Sequence, residues 1–269
     1  NNFNLIICKV VAMHNDRFFQ YAIITAFTSS LIFSQVNTEA MRNTKDRSGF
    51  ENTLGFDFGF EKSKEEVLEI AGKYRLDFLG KNGLTSFLVL SYENGYEKED
   101  NKKNSIVNKG FGHLRFTKNI SDNFFIEVFT QYGFNDFLLM KERRLFGSGI
   151  RYMVLNQEIL SGYVGVGAMQ EDEIYNLGSD INMNLIRSTN YLSWKIKFSE
   201  NSSIQNTAYY QFDSKNASDR RILYDGDLNI ALNSKLAFTL SLNFRYDSDP
   251  HGELGKTYTQ LKNGIEYIF

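Results

Sequence analysis

The chain has 269 residues and a formal net charge of −2, with 42% hydrophobic, 15% aromatic and 23% charged residues. A near-neutral chain offers no clustered basic surface, which argues against a nucleic-acid partner. The single cysteine, Cys8, excludes a disulfide framework and a cysteine-based zinc site. From residue 36 onward, no stretch approaches the roughly 20 apolar residues that a membrane-spanning helix needs.

The first segment in chain order is typical of a secretory signal peptide. A start at Met13 places a short polar stretch before an apolar run at residues 18–33, which ends at Ser34. The run is short for a membrane span, and an uncleaved anchor is the alternative. We therefore expect a signal peptide over residues 1–34 and a short periplasmic segment over 35–47. Cleavage near Ser34 leaves a cysteine-free chain, whose stability does not depend on an oxidising compartment.

After residue 48 the dominant pattern is alternation of apolar and polar residues, which predicts β-strands. The clearest case is the segment 235–247, where every second residue from Leu236 to Tyr246 is apolar and the residues between them are small, polar or charged. Successive side chains of a strand point to opposite faces, so this segment has one apolar and one polar face. Twelve such segments follow one another, at 50–60, 68–78, 84–94, 105–117, 124–134, 146–154, 158–170, 186–198, 204–212, 222–232, 235–247 and 258–269.

The connections between these segments alternate between two kinds. Tight polar turns are predicted at 80–83, 118–122, 156–158, 199–202 and 233–235, whereas longer loops are predicted at 94–104, 171–183 and 247–256. The only proline, Pro250, lies in the last loop, where no ladder hydrogen bond is needed. Short turns on one rim and longer loops on the other are typical of outer-membrane barrels.

Alternation alone does not separate a membrane barrel from a secreted β-sandwich or a lipocalin-like barrel, because both have one apolar face per strand. Three features favour the membrane barrel. The apolar faces are rich in Phe, Tyr and Leu over about ten residues, the length of a tilted spanning strand. The polar faces carry mixed charges, as a hydrated interior would. The chain ends at Phe269, and a terminal aromatic residue on the last strand resembles the assembly signal of bacterial outer-membrane barrels.

We therefore predict an all-β fold: a twelve-stranded antiparallel transmembrane β-barrel over residues 48–269, located in the bacterial outer membrane with both ends in the periplasm. Only a closed sheet satisfies every backbone amide in lipid without leaving an edge. The expected partners are outer-membrane lipid and lipopolysaccharide, and the barrel-assembly machinery through the last strand at Phe269.

One segment also resembles a known family. The residues 142–152, ERRLFGSGIRY, are similar to the central signature of the YdiY-like family of salt-induced outer-membrane proteins, and the residues 36–42, VNTEAMR, are similar to the start of its members. The resemblance covers roughly residues 36–269 and implies an outer-membrane barrel. The family has no established function, so the resemblance supplies no catalytic residues.

A search for catalytic or metal-binding chemistry gives weak candidates. After residue 34 the only histidines are His113 and His251, too few for a histidine metal cluster. A barrel esterase needs a serine beside a histidine, and no motif places one there, so we interpret His113 as a polar lumen residue. The acidic run 171–173 with Asp180 is a candidate cation site at the lipopolysaccharide level, but a solvated loop is the favoured interpretation. We expect no cofactor, no metal and no enzymatic activity.

The inward-facing charges are the remaining functional candidates, because charges cost several kcal/mol on the lipid face and can be hydrated or paired in a lumen. Three hypotheses remain open: a small channel for ions or small solutes, a closed structural barrel that supports the envelope under osmotic stress, and a lipid-modifying enzyme. The near balance of signs favours a salt-bridged interior with narrow water space. The candidate lumen-lining residues are Arg75, Arg115, Glu127, Arg143, Arg151, Arg187, Lys195 and Arg245.

Overall fold

A computed structural model of the protein describes residues 49–62, 66–80, 82–99, 102–251 and 255–269. Almost all of these residues lie in β-strands, because the alternating sequence continues with few interruptions. The twelve strands are β1 (Gly49–Lys62), β2 (Glu66–Leu79), β3 (Leu84–Glu99), β4 (Lys102–Ser121), β5 (Phe124–Asn135), β6 (Met140–Asn156), β7 (Leu160–Asn176), β8 (Asp180–Lys197), β9 (Ser202–Asp213), β10 (Arg220–Ala231), β11 (Leu236–Asp247) and β12 (Thr257–Ile268).

The strands form one closed barrel in which each strand pairs with its neighbours in sequence and β1 pairs with β12. Every pair is antiparallel. The predicted twelve-stranded antiparallel barrel is therefore confirmed. The expected signal peptide at 1–34 and periplasmic segment at 35–47 lie outside the described residues.

The two ends of the barrel differ. At one end, which we call the turn end, lie the start of β1, the end of β12 and the five turns that follow β2, β4, β6, β8 and β10. At the other end, the loop end, the connection between β5 and β6 contains a 3₁₀ turn at Asp136–Leu138, whose first backbone groups are capped by the Asn135 side chain. Leu139 follows with a φ of 55°.

Two of the predicted loops are wrong. Residues 94–99 continue β3, and residues 171–176 and 180–183 belong to β7 and β8. The strands extend beyond the apolar segment because their inward residues stay buried inside the barrel, even where the outward residues become polar. The last predicted loop, 247–256, is nearly as expected, since β11 ends at Asp247 and β12 begins at Thr257.

The outer surface is apolar, as the alternation predicts. Outward residues such as Phe56, Phe146 and Ile265 are 65%, 62% and 54% exposed, although a water-soluble protein would bury side chains of this kind. The inward residues of the same strands are buried and include most of the buried charges. A closed sheet with an apolar exterior and a charged interior is the arrangement of a barrel that spans a membrane. Within the described ranges, the structure contains no helix that is long and apolar enough to span a membrane.

One strand pair is much shorter than the rest. β1 and β12 are in register only over four residue pairs, from Thr53 opposite Ile268 to Phe56 opposite Ile265. Two further hydrogen bonds link the backbones of Asn52 and Phe269 at distances of 3.1 and 3.2 Å. Every other neighbouring pair has eleven or more residue pairs in register. We call the β1–β12 contact the seam.

Candidate functional site: a partly filled lumen

All eight candidate lumen residues lie on the inner face of the barrel. Seven of them are buried, and Lys195, near the turn end of β8, is half-buried. They do not form one site. The structure distributes them over three regions: an ion cluster near the loop end, a second cluster at mid-height, and a cavity beside the seam.

The loop-end ion cluster is built around Glu171 of β7. Its carboxylate accepts hydrogen bonds from Arg143 Nε at 3.0 Å, Arg187 Nε at 2.7 Å and Arg221 Nη1 at 3.0 Å. The three arginines come from β6, β8 and β10, so one carboxylate links four strands. Glu171 is 1% exposed and Arg187 is fully buried. Hydrogen bonds between ionised groups are short and strong, and these also fix the arginine planes.

Three further carboxylates complete the loop-end ion cluster. Glu173 Oε1 lies 3.0 Å from Arg143 Nε in an ion pair, and Glu173 Oε2 accepts a hydrogen bond from Arg221 Nη2 at 3.3 Å. Asp219, in the connection after β9, binds Arg187 in a bidentate manner with two hydrogen bonds of 3.1 Å. Asp247 of β11 accepts from Arg221 Nε at 2.8 Å. Each arginine therefore has at least two carboxylate partners, and the cluster joins β6, β7, β8, β10 and β11 across the lumen.

The sequence-based interpretation of residues 171–173 as a solvated loop is wrong, because Glu171 and Glu173 are among the most buried side chains of the chain. Both are an even number of residues from Met169, which also points inward, and the alternation of inward and outward residues continues through Tyr175. Only Asp172, between them, faces outward and is half-buried. The alternation of inward and outward residues along β7 could therefore have identified the two glutamates as inward-facing. Among the described residues, no group of acidic, histidine or cysteine side chains has a metal-binding geometry.

An apolar lid covers the loop-end ion cluster. Leu138, Met140 and Tyr175 form a buried group on which Leu177 and Met183 pack. The Tyr175 hydroxyl donates to Glu173 Oε2 at 2.9 Å, which joins the lid to the ion cluster. The lid and the cluster together fill much of the lumen at this end.

The mid-lumen cluster is centred on Glu127 of β5. Arg115 Nη1 lies 3.3 Å from Glu127 Oε2, Arg151 Nη1 lies 3.8 Å from Oε1, and the Tyr191 hydroxyl donates to Oε2 at 2.9 Å. The Arg151 guanidinium carbon also lies 3.6 Å from the centre of the Tyr163 ring, a cation–π contact. One carboxylate here holds two arginines and a tyrosine in the middle of the barrel.

Glycines in β6 and β7 make room for the aromatic rings around this cluster. A Cβ atom at Gly165 would lie 2.0 Å from Cε1 of Tyr191, and one at Gly147 would lie 2.3 Å from Cζ of Phe129. Both distances are far below any real contact, so the rings lie directly on the glycine backbones.

His113 belongs to the same packed half of the lumen. It is 1% exposed, and the rings of Phe87 and Phe129 lie on either side with centroids at 5.6 and 5.9 Å. This position agrees with the interpretation of His113 as a lumen residue. It gives the lipid-modifying hypothesis no support, because aromatic rings occupy the space on both sides of the imidazole.

A cavity lined by both charged and apolar side chains remains in the lumen, next to the seam. Its volume is about 410 Å³, and we call it the seam cavity. Its lining begins at Glu51 and Ser203 near the turn end and reaches Met140 and Arg143 near the loop end. It therefore runs along most of the barrel's length. Most of its lining residues come from β1, β2, β11 and β12, and every other strand except β7 contributes at least one.

Ion pairs also bind several charges of the seam cavity. Glu93 Oε1 lies 3.2 Å from Lys109 Nζ in an ion pair, and Glu93 Oε2 accepts a hydrogen bond from Lys262, which reaches it from the opposite side of the seam. Arg245 Nη2 lies 2.9 Å from Asp225 Oδ1 on the neighbouring strand. The expected salt-bridged interior is thus present along the cavity as well as in the two clusters.

Comparison with solved structures shows the fold that this barrel shares. The translocator domain of the autotransporter NalP from Neisseria meningitidis aligns with a TM-score of 0.51 at 11% identity, covering 97% of this chain and 98% of that one. An outer-membrane channel from Pseudomonas putida F1 gives a TM-score of 0.49 at 10% identity, with 84% and 98% covered. The NanC porin gives 0.46 at 8% identity, with 82% and 98% covered.

The closed twelve-stranded barrel and its apolar exterior agree with the predicted location in the bacterial outer membrane. At these identities the likeness concerns the fold and not the activity. No curated protein sequence gives a significant match to this chain. A family model described as "Protein of unknown function, DUF481" matches residues 85–269, which is most of the barrel. The chain therefore belongs to this family, whose function its description leaves open.

Proposed function

We propose that the protein is a narrow, porin-like channel for ions or small polar solutes, with its water path along the seam cavity. The observation that carries the proposal is the extent of this cavity, which has charged side chains in its lining from Glu51 at the turn end to Arg143 near the loop end. We further propose that the turn end faces the periplasm, as in other barrels with short turns on that side.

The charges along the cavity favour weak ion selectivity. The lining contains seven basic and six acidic side chains. Several of them neutralise one another, as in the pairs Lys109–Glu93 and Arg245–Asp225. Selectivity in a pore depends on rings of charge of one sign, and a near-balanced lining lacks such a ring.

Single-channel recording in planar bilayers tests this proposal. The purified barrel should show small conductance steps. Neutralising two cavity residues should shift the reversal potential in opposite directions, with Asp227→Asn favouring anions and Lys73→Gln favouring cations. Asp172→Asn, on the outer surface, removes the same charge as Asp227→Asn and should leave the reversal potential unchanged. Absence of conductance steps, or equal effects of the inner and outer variants, would contradict the proposal.

The second candidate function is a closed structural barrel that supports envelope integrity. The two buried ion clusters favour it, because their paired charges link strands from β4 to β11 across the lumen. A cavity-blocking variant separates the two functions. Cells that lack the protein should regain resistance to osmotic leakage with Thr239→Trp if the role is structural, but only with the wild type if the role is conduction.

Two finer points extend the proposal. The resemblance of residues 142–152 to the YdiY-like family leads us to propose that expression rises with salt, and an unchanged protein level after a salt upshift would contradict this. We also propose that lipopolysaccharide contacts the outer surface at the loop end, where Arg144 has an exposed side chain. Phe269, which is 56% exposed, is the proposed contact for the barrel-assembly machinery.

A further inference from the structure

The seam is too short to close the barrel over its full height. Backbone pairing between β1 and β12 covers Asn52–Phe56, five residues that span about 16 Å at 3.3 Å each. The apolar band of an outer-membrane barrel is about 25 Å tall, and tilt makes the paired height smaller still. Part of the unpaired seam therefore lies at membrane depth, on the loop-end side of Phe56.

Beyond Phe56, β1 and β12 each pair with only one neighbouring strand. β1 continues to Lys62 and pairs with β2 over this length, while β12 pairs with β11 back to Thr257. In the described part of the chain, no β1–β12 register continues past Phe56 and Ile265. Amides at membrane depth need partners, and here the neighbouring strand does not supply them.

The seam cavity reaches the unpaired seam. Its lining includes the inward residues Asp57 and Lys262 together with Asn263 and Ile265, whose side chains have the outward parity of β12. Asp57 and Lys262 lie beyond the last paired residues of β1 and β12, so the cavity extends to the unpaired edges of both strands. At the loop end, the cavity meets the apolar lid at Met140 and the loop-end ion cluster at Arg143. The geometry points to a sideways outlet.

Charge at this outlet favours a positively charged group. The carboxylates of Asp57 and Glu266 both line the cavity. Lys73 and Lys262 also line it and attract Asp57, and Lys262 is bound to Glu93. In this part of the lining, carboxylates outnumber ammonium groups, with Asp57, Glu93, Asp227 and Glu266 against Lys73, Lys109 and Lys262. Asp57 occupies the space above Gly264 on the facing strand, so its carboxylate lies across the seam. Outside the outlet, Phe56, Leu261 and Ile265 present exposed apolar side chains to the membrane.

We propose that the loop-end half of the seam is a lateral portal that admits the ammonium-bearing headgroup of a membrane amphiphile. The headgroup enters the seam cavity and its ammonium binds Asp57 and Glu266, while the acyl chain stays in the membrane against Phe56 and Ile265. The proposal goes beyond conduction, because a barrel that carries no current can still bind a lipid headgroup through this portal.

A disulfide across the portal tests the route. If the ladder continued by two more pairs, residue 58 would face residue 263, so Phe58→Cys with Asn263→Cys should lock the seam when oxidised. The matched control, Leu240→Cys with Asn263→Cys, joins residues that are already opposite each other in the β11–β12 ladder. Both pairs are placed in a Cys8→Ser background, which removes the only native cysteine, and mass spectrometry verifies each disulfide before lipid is added.

Native mass spectrometry then counts retained lipid, with lysophosphatidylethanolamine and lysophosphatidylglycerol as probes. The reduced protein should retain the ethanolamine lipid in preference to the glycerol lipid, and oxidation of the portal pair should abolish that retention. Oxidation of the control pair should change nothing. Asp57→Asn should lower retention of the ethanolamine lipid about tenfold, equivalent to roughly 1.4 kcal/mol, and leave the glycerol lipid unaffected.

Two results would overturn the proposal. Undiminished retention after the portal is locked would mean that lipid binds elsewhere or enters from an aqueous end. Equal retention of the two lipids, or no effect of Asp57→Asn, would mean that the carboxylates do not select an ammonium group. A conduction experiment decides neither point, so failure of the channel proposal and failure of the portal proposal are distinguishable.

Discussion

Neutralising Glu171 is the most informative test of the filled lumen. In Glu171→Gln, one buried carboxylate that accepts from Arg143, Arg187 and Arg221 becomes a neutral amide. Hydrogen bonds to charged groups contribute about 1.5–3 kcal/mol each, so three of them at the lower limit amount to about 4.5 kcal/mol. The glutamine keeps one acceptor oxygen, and each arginine keeps another carboxylate. We therefore expect a loss of about 3 kcal/mol, at the lower end of the range for a broken buried ion pair.

Urea unfolding of the barrel from lipid vesicles measures this loss. The only tryptophan, Trp194, is half-buried on the outer face of β8, so its fluorescence reports departure from the membrane. Asp172→Asn is the matched control, because the neighbouring residue carries the same charge but faces outward. Its unfolding free energy should stay within about 0.5 kcal/mol of the wild type. A Glu171→Gln value that equals the control would refute the conclusion that the loop-end ion cluster stabilises the barrel.

Three further predictions concern packing, gating and assembly. Gly165→Ala should destabilise the barrel by about 1–3 kcal/mol, because the new methyl group displaces the Tyr191 ring, whereas Gly162→Ala, with ordinary contacts only, should be tolerated in the same urea titration. Met140→Ala should raise single-channel conductance by opening the apolar lid over the seam cavity, and an unchanged conductance would place the constriction elsewhere. Phe269→Ala should lower the heat-modifiable fraction in cell envelopes but leave refolding into vesicles intact, and equal losses in both would indicate a general folding defect.

The sequence predicts which residues of a strand point inward and which point outward, because the alternation of apolar and polar residues is a local property. In β11, the segment from Leu236 to Asp247 alternates as expected, with Asn243 and Arg245 buried inside and Leu242 exposed outside. The same argument identified all eight candidate lumen residues as inward-facing. It required only that apolar side chains prefer lipid and that charges avoid it.

The boundaries of the strands at the loop end could not be predicted in this way. Beyond the membrane the outward residues, such as Gln170 and Asp172, become polar, so the contrast between the two faces disappears although the strand continues. The alternation then no longer indicates a strand, and a run of acidic residues in the strand resembles a loop.

The ion-pair partners of the inward charges could not be predicted from the sequence either. Arg221 of β10 reaches Glu171 and Glu173 of β7, and Lys262 reaches Glu93 from the other end of the chain. Such pairs depend on strand tilt and stagger around the closed barrel, and no local pattern encodes them. The short pairing between β1 and β12 could not be predicted for the same reason, since the sequence of each strand has the ordinary alternation.

The shortness of the seam also has a consequence for the order of folding. Hairpins such as β6–β7 join residues that are close in sequence, whereas the seam brings together Asn52 and Phe269, more than 200 residues apart. Closing so long a loop carries a large entropic cost, and only a few ladder hydrogen bonds offset it here. Contacts of this kind form late, so the partly folded chain should be a curved open sheet with its two end strands free. The factor that brings those strands together in the cell would then control the rate at which the barrel matures.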